Sequence, residues 1–286
     1  MTRFPRSIQQ KRISRLDGAK QVVFNPKRGR GANKPMLKVS DVAAGYGSVQ
    51  VLKGIGIEVE RGQIVALLGG NGTGKSTLLR TISGLLKPWS GSITFDGERI
   101  DGLRPDRIVR RGLVQVTQGK EAYPGMTVEE NLRLGGFVHK DRAAVARGLE
   151  RVFAYFPVLK ERRRQLAATL SGGQLQMLCI GRGLMSEPKM MLLDEPSAAL
   201  APQVVLDIFR IVDRICRSGM TLLMVEQNVR MALLLASYGY VIRDGVIHME
   251  GPAESLIKDD NIRLAYLGGT LAERDREIGL PSATGR

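Results

Sequence analysis

The residues Gly69-Gly70-Asn71-Gly72-Thr73-Gly74-Lys75-Ser76 constrain this chain more than any other stretch. They fit G-x-x-x-x-G-K-[ST], a loop whose backbone wraps nucleotide phosphates. The run before it, Ile64-Val65-Ala66-Leu67-Leu68, is apolar without alternation, as a strand buried on both faces of a parallel sheet must be. Thr77-Leu78-Leu79-Arg80-Thr81-Ile82 follows and reads as the opening of a helix. Glycines let backbone N–H groups converge on an anion, and the helix N-terminus adds its dipole. On this pattern Lys75 reaches the β- and γ-phosphates and the Ser76 hydroxyl ligates Mg²⁺. The loop points to a nucleotide but leaves the use of its energy open.

Two further stretches narrow that use. Met190-Met191-Leu192-Leu193-Asp194-Glu195 is an apolar strand ending in two acids. An acid at the C-terminal end of a parallel strand lies at the ligand-binding edge of the sheet, so Asp194 is the candidate Mg²⁺ ligand and Glu195 the candidate general base. In Leu170-Ser171-Gly172-Gly173-Gln174, Ser171 is placed to cap a helix whose first N–H groups the glycines expose. A second anion site, separate from the catalytic loop, suggests service to another subunit's nucleotide.

Leu170–Gln174 resembles the signature sequence of ABC-type ATPases, and the resemblance covers about residues 36–270. It implies an α/β fold: the parallel-sheet core of a P-loop NTPase, an antiparallel β subdomain and an inserted α-helical subdomain at about 119–180. It implies ATP with Mg²⁺ as cofactors, with nucleotide contacts through Gly69, Gly70, Asn71, Gly72, Thr73, Gly74, Lys75, Ser76 and Thr77. Tyr46 resembles the aromatic that stacks on adenine. Gln118 resembles the glutamine that senses Mg²⁺ and water and reports to a membrane partner; Gln115, inside the preceding strand, is a decoy. Ser171 and Gly173 would contact the γ-phosphate held by the opposite subunit, so two subunits sandwich two ATPs head to tail.

Two positions depart from the family pattern. Ala201 stands where most relatives place Asp, and Gln227 where they place a switch histidine. A glutamine amide donates a hydrogen bond to the γ-phosphate but carries no proton or charge, which puts histidine-dependent turnover in doubt. Both departures resemble the ATPase subunits of branched-chain amino-acid importers, as do Val225–Val229 (V-E-Q-N-V), Met126–Leu132 (M-T-V-E-E-N-L) and Ala265–Gly269 (A-Y-L-G-G). The implied partners are a second ATPase of the same or similar sequence, integral membrane permeases and, indirectly, a substrate-binding protein. The implied location is the cytoplasmic face of the inner membrane. Importers of urea, amides or aromatic acids, and exporters, remain as alternatives.

The bulk of the chain fits a soluble ATPase. Its most apolar helical run, Met231–Ala236, is far shorter than the roughly 20 residues of a membrane span. Cys179 and Cys216 belong to no metal or redox motif, and the context reads as reducing. The net charge of +15 is concentrated in residues 1–35, where ten Lys and Arg face one acid, Asp17. That segment reads as a disordered extension, with Met36 as an alternative start. A nucleic-acid role would rest on this segment alone, and no nucleic-acid partner is expected. Residues 271–286 read as a polar tail.

Periodicity predicts strands at Leu37–Val42, Val51–Val59, Gln63–Leu68, Ser92–Phe95, Gly112–Val116, Lys189–Leu193, Thr221–Val225, Tyr240–Arg243 and Val246–Met249. It predicts helices at 141–156, 172–185, Pro202–Arg217, Asn228–Ala236 and about Ala253–Leu267, with a capping box at Thr127/Glu130.

Overall fold

In the computed structural model, described over residues 34–119, 121–260 and 262, strand burial follows from the sequence pattern. β1 (Leu37–Tyr46) buries Leu37, Val39 and Val42 between more exposed residues, so one face meets the core. In β3 (Ile64–Leu68), β7 (Met190–Asp194) and β8 (Thr221–Glu226) every residue is buried, as a central parallel strand demands.

These two strand types form two sheets. β2 (Val49–Val59), β1, β4 (Ser90–Phe95) and β5 (Glu98–Arg99) make a four-stranded antiparallel sheet in the order β2-β1-β4-β5. The second sheet runs β10-β9-β3-β8-β7-β6, with β6 (Leu113–Val116), β9 (Tyr238–Arg243) and β10 (Val246–Pro252). It is parallel except for β10, which pairs antiparallel at one edge.

The parallel sheet divides the interior into two cores. Ile64, Ala66 and Leu68 face one, with Met191, Leu193, Leu222 and Met224. Val65 and Leu67 face the other, with Met190, Leu192, Leu223 and Val225. The first core is closed by α3 (Val128–Gly135), α4 (Arg142–Tyr155), α5 (Pro157–Glu161), α6 (Gly172–Leu184), α7 (Pro202–Arg217) and α8 (Val229–Leu235). The second is closed by α1 (Lys75–Ile82), α2 (Pro105–Arg110) and the antiparallel sheet. Tyr240 joins the two sheets: its buried hydroxyl accepts from the Glu58 N–H at 2.9 Å and donates to the Glu58 carbonyl at 3.2 Å.

The helical stretch carries its expected capping box. The Thr127 hydroxyl accepts from the Glu130 N–H, and the Glu130 carboxylate accepts from the Thr127 N–H at 2.8 Å. Three expectations need correction. β1 runs on to Tyr46, past a kink at Asp41, whose φ is 49°. β5 is an extra short strand that charged residues concealed. The helix expected over 253–267 is interrupted: α9 (Ala253–Leu256) ends, the chain turns, and helical backbone resumes at Asp260 and Ile262, where Asp259 accepts from the Ile262 N–H at 3.2 Å; residues 263–267 lie outside the described residues. The expected extension lies outside the described residues except for positions 34 and 35, and the tail at 271–286 lies wholly outside them. Met36 is buried, and its sulfur accepts from the Thr221 hydroxyl at 3.0 Å.

Candidate functional site

The parallel register places three strand ends level. Leu68 of β3 pairs with Glu226 of β8, and Asp194 of β7 pairs with Val225. The segments leaving these strands therefore meet at the carboxyl edge of the sheet, where open α/β sheets bind ligands.

The glycine-rich loop leaves β3 and enters α1 through Gly74, whose φ of 105° belongs to the left-handed region. A β-carbon there would lie 2.9 Å from Leu52 Cδ2, so both backbone and space demand glycine. The Thr73 hydroxyl donates to the Gly70 carbonyl at 2.9 Å and closes the loop on itself. The Lys75 ammonium donates back to the carbonyls of Gly69 (2.9 Å) and Gly70 (2.7 Å). Burial pushes its pKa below the usual lysine value, against the opposing pull of Glu195 and Asp194. Thr77, in the first turn of α1, is buried.

Around this loop the candidate residues form one network. The Ser76 hydroxyl donates to Asp194 Oδ1 at 3.2 Å. Lys75 Nζ stands 3.9 Å from Glu195 Oε1. The opposite oxygen, Glu195 Oε2, accepts from the Gln118 amide at 2.6 Å and the Gln227 amide at 2.8 Å. Gln227 Nε2 also donates to Asn71 Oδ1 at 3.0 Å. The side chain in the switch position thus bridges the phosphate loop and the candidate base. Both acceptors are oxygens, so the NH₂ end of Gln227 must face them.

Other candidates lie apart. Tyr46, at the end of β1, is exposed and accepts through its hydroxyl from Arg80 at 3.2 Å. Gln115 sits in β6 away from the network, with its Oε1 accepting from the Ser83 hydroxyl at 2.7 Å. Ser171 caps α6 in a second box: its hydroxyl accepts from the Gln174 N–H and the Gln174 side chain accepts from the Ser171 N–H. These bonds stay within its own helix end, and none reaches the phosphate loop. Gly173 is the point where α6 meets α7; a β-carbon there would fall 2.4 Å from Val204 Cγ1.

Sequence reasoning missed two features. Arg80, which fixes the Tyr46 hydroxyl, read only as a helical residue. Glu195 (φ 48°) and Ala199 (φ 53°) both occupy the left-handed region, which no local pattern announces for residues other than glycine.

Burial also raises the Asp194 pKa; Glu195 adds to this, while the Ser76 hydroxyl, Lys75 and Arg80 oppose it. A carboxyl with a raised folded-state pKa stabilises the fold below its unfolded value of about 3.9 and loses that contribution as pH climbs through the folded value. Asp194→Asn should therefore be more stable than wild type at pH 7 by about 1 kcal/mol, and the gap should close towards pH 4. Thermal melts in EDTA without nucleotide check this; a gap that widens on acidification would contradict it.

Ala201 is the N-cap residue of α7 and offers no side-chain acceptor to that helix end, where Pro202 occupies the first turn. Ala201→Asp should gain roughly 1 kcal/mol from capping, read as a shift in the urea midpoint at constant slope.

The comparisons with known proteins agree with this geometry. The family model described as "ABC transporter" matches residues 52–198. The high-affinity branched-chain amino acid transport ATP-binding protein BraG of Pseudomonas aeruginosa is 46% identical over 235 residues, covering 82% of this chain and 100% of that protein. The probable branched-chain amino acid transport ATP-binding protein LivF of Archaeoglobus fulgidus is 32% identical over 237 residues, covering 82% and 99%. Among solved structures, the ADP conformation of MJ1267, an ATP-binding cassette of an ABC transporter, superposes with a TM-score of 0.75 at 29% identity, covering 83% of this chain and 100% of that one. Fold, phosphate loop and full-length similarity converge, and the chain belongs to the ABC transporter family as one of its ATP-binding ATPase subunits.

Proposed function

We propose that this protein powers an importer of branched-chain or related hydrophobic amino acids. The observation that carries hydrolysis is the Glu195 carboxylate, held on one oxygen by Gln118 and Gln227 beside the Lys75 ammonium. In this reading Glu195 is the general base that polarises the attacking water. Lys75 and the N–H groups of Gly69–Gly74 bind phosphate oxygens, and Gln227 meets the γ-phosphate from the side of β8. Tyr46 stacks on the adenine. The Ser76 and Asp194 oxygens, 3.2 Å apart, are hard donors of the kind Mg²⁺ takes, with Gln118 as a third. Mg²⁺ bound there neutralises charge on the phosphates. Ser171 and Gly173 complete the site of a second ATPase, identical or similar, in a head-to-tail dimer.

The cargo assignment rests on the similarity to BraG across that protein's whole length, together with Gln227 and Ala201. No described helix is long and apolar enough to cross a membrane, so permease partners carry the transport path. The helical insert, about 119–180 of a nucleotide-binding domain spanning 36–270, supplies their docking face. A cavity of about 320 Å³ lies between it and β6, lined by Gln115, Glu121, Cys179 and Arg182 and rimmed by exposed Tyr123 and Phe137. In this reading the cavity receives a permease's cytoplasmic helix, and the protein works at the cytoplasmic face of the inner membrane. The test is the complex in vesicles with its binding protein. Hydrolysis stimulated by a branched-chain amino acid on that binding protein supports the reading; hydrolysis indifferent to any loaded amino acid overturns it.

A further inference from the structure

The turn after β7 is strained. Glu195 and Ala199 both hold left-handed backbone, a conformation that costs a side-chain-bearing residue about 1–2 kcal/mol. Ser197 lies midway between them. Backbone bonds hold the ends of the turn: the Glu195 N–H donates across to the Val225 carbonyl of β8 at 2.9 Å, and within the turn the Ala198 N–H donates to the Glu195 carbonyl at 3.1 Å. The middle of the turn is held by a side chain of that same strand.

That hold is Glu226, the last residue of β8, which is 1% exposed. Its Oε1 accepts from the Ser197 N–H at 2.9 Å. Its Oε2 accepts from the Ser197 hydroxyl at 2.8 Å and from the Gln227 N–H at 3.2 Å. A single buried carboxylate thus grips the turn that presents Glu195 and the backbone that presents Gln227. Only a carboxylate suits the place. Its two oxygens accept from all three donors, whereas a glutamine there would turn an NH₂ group towards either the Ser197 N–H or the Gln227 N–H.

We infer that Glu226 is a positioning residue for ATP hydrolysis, fixing the candidate base and the γ-phosphate contact relative to each other. Its bonds run to Ser197 and Gln227, not to the phosphate loop. It sets the angle from which Glu195 Oε2 meets the two amides that hold it. Burial raises the pKa of Glu226 while the bonds from Ser197 oppose the shift, which agrees with a carboxylate kept dry and held by donors rather than by a cation. The inference rests on Glu195 as the base, the reading proposed above.

The experiment compares Glu226→Gln, Ser197→Ala, Ser197→Thr and the double variant Glu226→Gln/Ser197→Ala in the assembled transporter. A positioning role predicts that Glu226→Gln lowers kcat by roughly 30-fold with KM for ATP within about twofold. Ser197→Ala, which loses only the hydroxyl bond to Glu226 and should fold normally, lowers kcat by roughly fivefold, and Ser197→Thr, which keeps the hydroxyl, restores it. The double variant should be no worse than Glu226→Gln within about twofold, because both changes break one linkage. Three results would overturn the inference: an unchanged kcat in Ser197→Ala, losses that multiply in the double variant, or a loss confined to KM. An inactive wild-type complex would instead strike at the assignment of hydrolysis itself, so the two failures are told apart by the control.

Discussion

Replacing Glu195 by glutamine should leave ATP bound and stop its hydrolysis. The substitution keeps the shape of the side chain. The new amide oxygen takes the place of Oε2 and accepts from Gln118 and Gln227 as the carboxylate does. The new NH₂ group faces Lys75 at about the present 3.9 Å, and Lys75 already has carbonyl acceptors at Gly69 and Gly70. Removing a negative charge beside Asp194 also eases the approach of polyanionic ATP. What disappears is a base for the attacking water, which typically accelerates such a step by about 10²–10⁴-fold. We expect kcat to fall on the order of 10³-fold while ATP affinity holds or tightens, so that the ATP-bound dimer accumulates. Size-exclusion chromatography with MgATP, alongside phosphate release, reads both. Normal phosphate release by Glu195→Gln would remove Glu195 from the catalytic role.

Lys75→Ala should do the reverse, abolishing binding while sparing the fold. The ammonium is buried at 4% exposure, and burial depresses its pKa, so its charge is held at some cost in the fold. Its hydrogen-bond acceptors are two loop carbonyls that other donors or water can serve. Loss of the side chain therefore changes stability little. In the proposed nucleotide complex the same group would make charge-assisted bonds to phosphate oxygens, each worth about 1.5–3 kcal/mol. Two such bonds amount to about 4 kcal/mol, or roughly 10³-fold in Kd. Titration calorimetry against ATP and a thermal melt without nucleotide separate the two effects. A melt lowered by many degrees with affinity intact would assign Lys75 to structure instead.

How far the sequence foretold this site depends on the kind of interaction. The phosphate loop, the β7 carboxylates and the Ser171 cap were legible because each is local: a strand, a turn and a helix end succeed one another within a few residues. The resemblance to ABC-type ATPases then supplied Gln118 and Gln227, whose importance no local pattern reveals. Their convergence on a single oxygen of Glu195 was not legible, because it joins the segments that leave three different strands. Glu226 was in view within V-E-Q-N-V but read as part of a subgroup signature; its partner Ser197 lies on a different element. β5 was hidden because Glu98 and Arg99 form a solvent-facing edge with no apolar member. The break after Leu256 was missed because apolar periodicity runs across it, while the chain turns and resumes helical backbone behind Asp259. Local chemistry was readable, and what depended on the meeting of distant segments was not.

The contact of Gly173 with Val204 has a mechanical meaning. Val204 lies in the first turn of α7, immediately after the strained segment that carries Glu195, and Gly173 lies in the first turn of α6, beside the Ser171 cap. With a methyl group of one seated where the other lacks a β-carbon, the joint between the two helix starts has almost no play. In the proposed head-to-tail dimer, a displacement of α6 by the neighbouring subunit's nucleotide would push directly on α7 and on the turn behind it. On the proposed function, each chain would then be geared to hear, at its own base, what its signature helix has grasped elsewhere.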